Sequence, residues 1–351
     1  MSNFLKNYFS TLLFILLLYI FYSTHSHYVW YLSGVYSFYF LPEFELNIKD
    51  VFFNIIKLYS ILLIWFYIFY EEKSKARIVL GYIYRKYFKK STWNIQPEEK
   101  TAILAWIVKW FFAPLMIFWL TGHIFSMVNY MYLTAENISL FSKDFLIFFN
   151  KYFFHFAFST ILFFDVVFFT LWYLLEGSIF KNKIKSVDSS ILWWLVALAA
   201  YPPINNATNT LLWWYSTDFP QFHSFYIHLF FNICILIAMW IYSRASISLW
   251  LKASNLTNRW IVTCWPYKYM RHPAYVCKNI AWWIWGLPIL IWACVNFDIK
   301  TFSFAMISLI GWSYIYYLRA KTEENHLSSD PDYIKYKKIV PNMFIPKLRI
   351  K

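Results

Sequence analysis

Two apolar stretches near the C-terminus decide the fold of this chain. Residues 279–297 read NIAWWIWGLPILIWACVNF and residues 301–318 read TFSFAMISLIGWSYIYYL, with only three residues between them. A helix rises about 1.5 Å per residue and the hydrocarbon core of a bilayer is about 30 Å thick, so each stretch is long enough to cross it. The pair predicts a transmembrane helical hairpin that leaves one face of a membrane and returns to the same face.

The whole chain has the composition of a membrane protein. Of its 351 residues, 60% are hydrophobic and only 14% are charged, whereas soluble domains carry about 25% charged residues. This excludes a disordered chain and a disulfide-stapled mini-domain, and it argues against an ordinary soluble enzyme. Six further stretches are long and apolar enough to span: 7–22, 51–70, 102–121, 151–175, 191–213 and 224–243. The sequence therefore predicts an all-α, polytopic integral membrane helix bundle of about eight transmembrane helices.

The basic residues predict how these helices are oriented. The net charge is +14, yet no basic soluble domain is present that would bind nucleic acid. With eight spans, most lysines and arginines fall on one side of the membrane, which the positive-inside rule makes cytoplasmic. These segments are 1–6, 71–101, 176–190, 244–278 and 319–351. Both termini are therefore predicted to be cytoplasmic.

Three smaller features complete this topology. The first span is interpreted as an uncleaved anchor, because no small-residue cleavage site follows it. Residues 28–41 are aromatic-rich but too short to span, which predicts an interfacial loop or a re-entrant piece. The wealth of Lys, Ile, Phe and Asn is typical of an AT-rich genome. It favours a bacterial inner membrane, or the endoplasmic reticulum membrane if the source is eukaryotic.

Ionisable residues inside the spans are candidates for function, because burying them in a bilayer costs free energy. We interpret Asp165 as an interhelical hydrogen-bonding residue, and Lys57 and Lys109 as side chains that reach toward the interface. His155 and His228 lie near span ends. No relay spacing connects these five residues, which argues against a proton pump, and the four cysteines lack the spacing of a zinc site.

The hairpin should bring two polar segments together at its open end. Residues 259–275, before the hairpin, read RWIVTCWPYKYMRHPAY, and Arg319 follows it with Glu323 and Glu324 close behind. Arg319 and Glu323 can share one helix face because they are four residues apart. We therefore expect Arg271 and the residues beside it to meet these carboxylates at the cytoplasmic membrane surface.

This arrangement resembles the isoprenylcysteine carboxyl methyltransferase and phospholipid methyltransferase superfamily of integral-membrane enzymes. The signature of that superfamily combines Gly-Pro-Tyr-x-x-x-Arg-His-Pro-x-Tyr-x-Gly, an apolar hairpin, an Arg with a Glu-Glu pair, and a Tyr-x-x-Tyr tail. The residues that match are Pro266, Tyr267, Arg271, His272, Pro273, Tyr275, Arg319, Glu323, Glu324, Tyr333 and Tyr336. Trp265 and Cys277 stand where the signature has Gly, so the backbone approach to a cofactor differs. The resemblance divides the chain into residues 1–243, a six-span region with a possible substrate site, and residues 244–351, the methyltransferase-like region.

The resemblance implies a methyl donor, S-adenosylmethionine, and a lipidic or prenylated acceptor, which is a small molecule or a protein. It implies cofactor-binding roles for Tyr267, Arg271, His272, Pro273, Tyr275, Glu323 and Glu324. Arg271 and His272 would hold the cofactor's carboxylate by charge-assisted hydrogen bonds. A carboxylate of the Glu-Glu pair would accept from ribose hydroxyls or the ammonium group, and a tyrosine would pack on adenine or face the sulfonium. Arg319 and Glu323 would be catalytic, with Arg319 orienting the carboxylates or steering an anionic acceptor. No metal is implied.

Two other functions remain open from the sequence. Membrane reductases of the sterol or steroid type have a similar C-terminal region and bind a nicotinamide cofactor. They usually carry Asn where this chain has Ala274, and a Gly-acid pair where it has Cys277 and Lys278. The Glu-Glu pair after Arg319 also favours methyl transfer. The third candidate is a lipid-binding or transport protein without catalytic activity, for which the substituted glycines are the only support.

Overall fold

A computed structural model of the chain describes residues 3–69, 72–88, 94–177, 180, 182–212, 220–252 and 255–346. Within these residues, seven helices are long and apolar enough to cross a membrane. The only β-sheet among these described residues consists of two short, separate antiparallel strand pairs. The molecule is therefore an all-α polytopic membrane helix bundle, as the sequence predicts.

The helices in chain order are α1 (Asn3–Thr24), α2 (Ser26–Leu32), α3 (Ile48–Phe69), α4 (Lys75–Tyr87), α5 (Pro97–Glu136), α6 (Leu140–Lys143), α7 (Phe145–Phe148), α8 (Phe154–Leu174), α9 (Ile191–Leu198), α10 (Ile204–Leu211), α11 (Phe225–Ser248), α12 (Pro273–Val295), α13 (Ile299–Leu327) and α14 (Pro331–Ile339). A π-helical turn, Phe149–Phe153, joins α7 to α8, and a 3₁₀ turn, Trp250–Lys252, follows α11. The strands are β1 (Val35–Phe38), β2 (Leu41–Asn47), β3 (Ser186–Val187) and β4 (Thr257–Asn258).

Seven of the eight predicted spans coincide with long apolar helices, and the predicted span 191–213 does not. In its place are two eight-residue helices, α9 and α10, separated by a break that contains Pro202 and Pro203. Proline lacks a backbone N–H and clashes with the preceding turn, so the two residues end the helix instead of kinking it. Residue 213 lies outside the described residues. The cytoplasmic location of the termini stays a prediction.

By packing, the chain divides into two compact units. The first unit comprises residues 1–125, 169–187 and 251–259, and the second comprises residues 126–168, 188–250 and 260–351. The predicted division at residue 243 follows the motif, not the packing, and stays a prediction about function.

The first unit is organised around α1, α4 and the start of α5. One apolar cluster in it combines Phe14, Ala76, Val79 and Ala102, with Trp106 packed against it. The Asn7 side chain donates to the carbonyl of Glu72 at 2.8 Å and accepts from the N–H of Ser74 at 3.0 Å. Ser74 in turn caps α4, because its hydroxyl accepts from the N–H of Arg77 at 3.2 Å. The segment predicted to be interfacial forms α2 and part of the β1–β2 hairpin, and neither is long enough to span.

The second unit is built on α8, α11 and α12. The buried apolar side chains that these helices share are Phe154, Phe158, Ile235, Met239, Ala281, Ile284 and Trp285. One small residue, Ala281, lies among the larger side chains of this cluster, so the helices can pack closely there.

The predicted hairpin is confirmed as α12 and α13. Asp298 begins α13 by accepting from the N–H of Thr301 at 3.0 Å. Gly286 allows the two helices to approach, since a Cβ there would lie 2.7 Å from the Leu309 Cδ1 atom. Helix α13 then continues beyond the predicted span to Leu327. This extension carries the polar residues that follow the hairpin in sequence.

Candidate functional site

The polar site is assembled where α12 begins and α13 ends, and the C-terminal tail helps to hold it. The N–H of Arg271 donates to the carbonyl of Asn342 at 3.0 Å, and the N–H of His272 donates to the carbonyl of Met343 at 3.1 Å. Pro273 follows as the first residue of α12, where its missing N–H leaves no donor unsatisfied. The short loop before the hairpin is thus fixed by backbone pairing with the tail.

Arg271 and Glu324 form the centre of the site. The Arg271 Nε atom donates to Glu324 Oε1 at 2.6 Å, and both side chains are only 5% exposed. A second guanidinium nitrogen, Nη1, donates to the carbonyl of Val340 at 2.8 Å. Burial alone would lower the pKa of Arg271, but the hydrogen bond and the charge of Glu324 outweigh it and raise that pKa. The guanidinium is therefore a permanent cation that ties both helices of the hairpin to the tail.

Glu323 is the more accessible of the two carboxylates. Its side chain is 32% exposed, and its Oε2 atom accepts from the Tyr275 hydroxyl at 2.9 Å. The His272 Nδ1 atom lies 3.9 Å from the same oxygen, and its Nε2 atom lies 3.3 Å from Glu324 Oε1. The rings of His272 and Tyr275 are stacked, with centroids 5.3 Å apart and planes inclined by 9°. Glu323 is thus a partly open hydrogen-bond acceptor beside a stacked aromatic pair in which His272 is buried.

Arg319 lies against aromatic rings beside this surface. Its Cζ atom is 4.7 Å from the ring centroid of Tyr316, 5.4 Å from that of Tyr275 and 5.9 Å from that of Tyr201. Such contacts stabilise a guanidinium by cation–π attraction. The sequence predicts that Arg319 shares a helix face with Glu323, and in the structure Tyr275 contacts both residues.

The tyrosines of the tail pack against Tyr267, which lies in the loop before the hairpin. The Tyr336 hydroxyl donates to the carbonyl of Tyr267 at 2.7 Å, and both rings pack with Tyr333 in an apolar cluster. Burial raises the pKa of all three hydroxyls, so they stay neutral at physiological pH. Tyr267, which the resemblance implies as a cofactor residue, lies in this cluster, and its role in cofactor binding stays a prediction.

An apolar cavity of about 460 Å³ lies between α12 and α13. Tyr275, Tyr316 and Phe344 of the tail line part of it, and its lining is almost entirely apolar. Its remaining walls include Trp283 and Leu287. Pockets that bind small ligands have volumes of about 300–1,000 Å³ and mainly apolar walls, so this cavity has the size and the lining of a binding site.

The structure also places the ionisable residues of the other spans. Asp165 of α8 is buried against Tyr242 and Ser246 of α11, which agrees with the predicted interhelical hydrogen bond. Lys57 is exposed, and the ring of His155 stacks on that of Tyr130. The prediction for Lys109 is wrong. Its ammonium group does not reach an interface. It forms a largely buried ion pair with Glu176, whose Oε2 atom lies 2.7 Å from the Lys109 Nζ atom.

Sequence reasoning missed several groups of the site. The Lys337 Nζ atom lies 3.0 Å from Glu324 Oε2, and the Lys278 ammonium lies 5.7 Å from the Tyr316 ring centroid. Lys337 directly follows the second tyrosine of the tail motif, which could have indicated it. Tyr201 and the backbone carbonyls of the tail carry no sequence signal, since any residue has a carbonyl and Tyr201 comes from a distant segment.

Among the described residues, no group of three or more His, Cys, Asp or Glu side chains is arranged to hold a metal ion. Comparison of the chain with protein-family models, with curated proteins and with solved structures finds no match.

Proposed function

We propose that this multi-pass membrane protein is an S-adenosylmethionine-dependent methyltransferase that acts on a lipidic or lipid-linked acceptor. One observation carries the proposal: a mixed-charge polar cluster and an apolar cavity share Tyr275 at one end of a transmembrane hairpin. A water-soluble cofactor and an acceptor from the bilayer need such a junction, with one polar and one apolar side. We place the protein in a bacterial inner membrane, or in the endoplasmic reticulum membrane of a eukaryote.

The residues present fit the cofactor. S-adenosylmethionine carries a carboxylate, an ammonium group, ribose hydroxyls and a flat adenine, so it needs donors, acceptors and a stacking surface. Glu323 is partly exposed and supplies an acceptor, and the Tyr275 ring, which lines the cavity, supplies a stacking surface. The side chains of Arg271 and Glu324 bind each other, which favours a positioning role for both over direct contact. Bound there, the cofactor would supply an electrophilic methyl group.

The residues of the chain orient the acceptor and exclude water. Apolar walls that include Trp283 and Leu287 can hold a hydrocarbon chain. Tyr275, which also lines the cavity, contacts Glu323 and Arg319 of the polar cluster. Methyl transfer needs a desolvated nucleophile in line with the methyl carbon, and little covalent chemistry from the protein. The cation at Arg319 would stabilise an anionic acceptor group next to Tyr275.

Methyl transfer in detergent or nanodiscs tests the proposal. The purified chain is incubated with S-adenosylmethionine carrying an isotope-labelled methyl group and a total lipid extract, and the lipid fraction is analysed by mass spectrometry. We expect labelled lipid with the wild type, and a rate lowered at least about tenfold in Glu323→Ala, because an interaction worth about 1.4 kcal/mol is lost. Asp332→Ala is the matched control, since this carboxylate is 62% exposed on α14, and we expect a rate within about twofold of wild type.

Two outcomes would contradict the proposal. Absence of label transfer together with reduction of a lipid double bond by NADPH would indicate the reductase. Absence of both, with lipid still bound, would indicate the lipid-binding protein.

A further inference from the structure

Helix α4 is tied near both of its ends to the starts of spanning helices in the first unit. The Arg77 guanidinium donates to Asn3 Oδ1 at 3.1 Å, where α1 begins. Arg85 forms an ion pair with Glu99 in the first turn of α5. Asn3 and Glu99 precede the predicted first and third spans by four and three residues. Since a helix rises about 1.5 Å per residue, both contacts lie no more than about 6 Å outside those spans.

These contacts place α4 along the membrane surface. A bilayer with its headgroups is about 40–45 Å thick and its hydrocarbon core about 30 Å, which leaves about 5–8 Å for each headgroup layer. Both contacts therefore lie near headgroup depth. Between them, Ala76 and Val79 of α4 pack with Phe14 of α1 and Ala102 of α5. Helix α4 is thus held beside the bundle at this depth and does not project into solution.

The apolar side of α4 is buried where the helix starts and open where it ends. Residues four positions apart lie on one face of a helix. Two such rows follow this side, residues 76, 80, 84 and 88 and residues 79, 83 and 87. Ala76 is fully buried, whereas Tyr84 is 54%, Tyr87 65% and Phe88 75% exposed. The rings of Tyr84 and Phe88 stack, with centroids 5.5 Å apart. Within the described residues, the bundle covers only the first half of this apolar side.

The open end of α4 is also basic. The Lys86 ammonium lies 5.2 Å from the Tyr87 ring centroid, so a cation lies next to the exposed rings. Over the whole sequence segment 71–101, eight residues are Lys or Arg and four are Asp or Glu. The distribution of basic residues predicts that this segment is cytoplasmic. Anionic headgroups of the cytoplasmic leaflet attract a basic segment at the membrane surface, and the apolar side of a surface helix enters the same layer.

We propose that the end of α4, formed by Tyr84, Tyr87 and Phe88 with Lys86 beside them, binds anionic lipid headgroups of the surrounding bilayer in its cytoplasmic leaflet. The aromatic rings lie among the headgroups and the first methylenes of the acyl chains, and the ammonium group faces phosphate. Headgroup depth favours the bilayer over a soluble protein as the occupant of this face. The contact does not depend on the proposed methyl transfer, because none of these residues belongs to the α12–α13 hairpin.

Photo-crosslinking in nanodiscs of equal parts phosphatidylglycerol and phosphatidylcholine tests the contact. A benzophenone amino acid replaces Phe88, and mass spectrometry identifies the lipids that it captures. We expect phosphatidylglycerol adducts to exceed phosphatidylcholine adducts at least about fivefold, and the excess to shrink in about 1 M salt, which screens surface charge. The same amino acid in place of Ile61, which is 48% exposed in the middle of α3, should capture both lipids about equally, because hydrocarbon surrounds it.

Two lysine variants test the role of the cation. With the benzophenone at position 88, Lys86→Gln should lower the phosphatidylglycerol excess at least about twofold. Lys268→Gln is the matched control, since this lysine of the second unit is exposed and its ammonium also lies near a ring, 4.9 Å from the Tyr269 centroid. We expect the control to leave the excess unchanged.

The crosslinks at positions 88 and 61 decide the proposal without any lysine variant. Equal capture of both lipids at position 88 would overturn the preference for anionic headgroups. Capture of a second copy of the chain, or of no lipid while position 61 still captures lipid, would overturn the contact with the bilayer itself. Methyl transfer enters none of these readouts, so failure here is distinguishable from failure of the proposed function.

Discussion

The two buried charge clusters of this protein differ in how accessible their carboxylates are. At the hairpin, Glu324 is buried beside Arg271 and Lys337, but the Glu323 side chain is 32% exposed. In the first unit, the Glu176 side chain is only 8% exposed, and the ammonium groups of Lys75 and Lys109 engage both of its oxygens. A partly exposed carboxylate can accept a hydrogen bond from a ligand, whereas a buried carboxylate with two cationic partners mainly holds its own chain together. Accessibility therefore makes the hairpin cluster the better candidate for ligand binding.

The largest expected effect comes from Arg271→Ala at the hairpin cluster. The change removes the partner of a carboxylate that is 5% exposed and also breaks the link to Val340. We expect the free energy of unfolding to fall by about 3–5 kcal/mol, since a buried charge is left uncompensated. Denaturant unfolding in detergent measures this loss, and S-adenosylhomocysteine binding should be abolished.

Arg271→Lys is the matched control for that change. It keeps the charge but cannot make both hydrogen bonds at once, so its stability should lie between those of wild type and the alanine variant. Wild-type stability and cofactor affinity in the alanine variant would show that the Arg271–Glu324 pair does not hold the site together.

The next effect in size concerns Glu176 in the first unit and depends on pH. The pKa of Glu176 is lowered from its ordinary value of 4.5, because the nearby cations outweigh burial. Its carboxylate therefore contributes stability that is complete above pH 4.5 and is lost as the pH falls through the folded-state pKa. At pH 7, Glu176→Gln should unfold more easily by about 2–3 kcal/mol.

Thermal unfolding of wild type and Glu176→Gln between pH 7 and acidic pH measures this dependence. The difference between the two proteins should shrink as the pH falls, because the wild type then loses the same charge. A difference that stays constant over the whole range would mean that the lost stability comes from packing and not from charge.

The smallest effect is expected for Tyr275→Phe at the hairpin. The change removes only the hydroxyl that donates to Glu323 at 2.9 Å. Since Glu323 is 32% exposed, water can replace the lost donor, and the free energy of unfolding should change by less than about 1 kcal/mol. Cofactor affinity should nevertheless fall by about five- to tenfold, because the carboxylate is no longer held in place. Calorimetry of the variant with S-adenosylhomocysteine separates this loss of affinity from a loss of folding, and unchanged affinity would remove Tyr275 from the site.

The hairpin could be predicted because its signals are local. Two apolar stretches of spanning length with a short turn define α12 and α13, and their geometry requires that residues 271–275 meet residues 319–324. The ion pair of Arg271 with Glu324 confirms that proximity. The chemical roles of these residues stay predictions.

Other features depend on contacts that one sequence does not reveal. Lys109 reads as an isolated lysine near a span end, and only the folded chain shows that Glu176 lies 2.7 Å away. The carbonyls of Val340 and Met343 fix the site through backbone atoms, which no side-chain pattern encodes. The break between α9 and α10 contains two adjacent prolines, Pro202 and Pro203. Membrane helices also tolerate proline, so the prolines alone do not distinguish a kinked helix from one that ends.

Calorimetric titration of the purified wild-type chain with S-adenosylhomocysteine, and in parallel with NADPH, tests the central claim most directly. The account predicts that S-adenosylhomocysteine binds to one site per chain, that Glu323→Ala weakens this binding, and that NADPH does not bind. Binding of NADPH, or of neither compound, would contradict it.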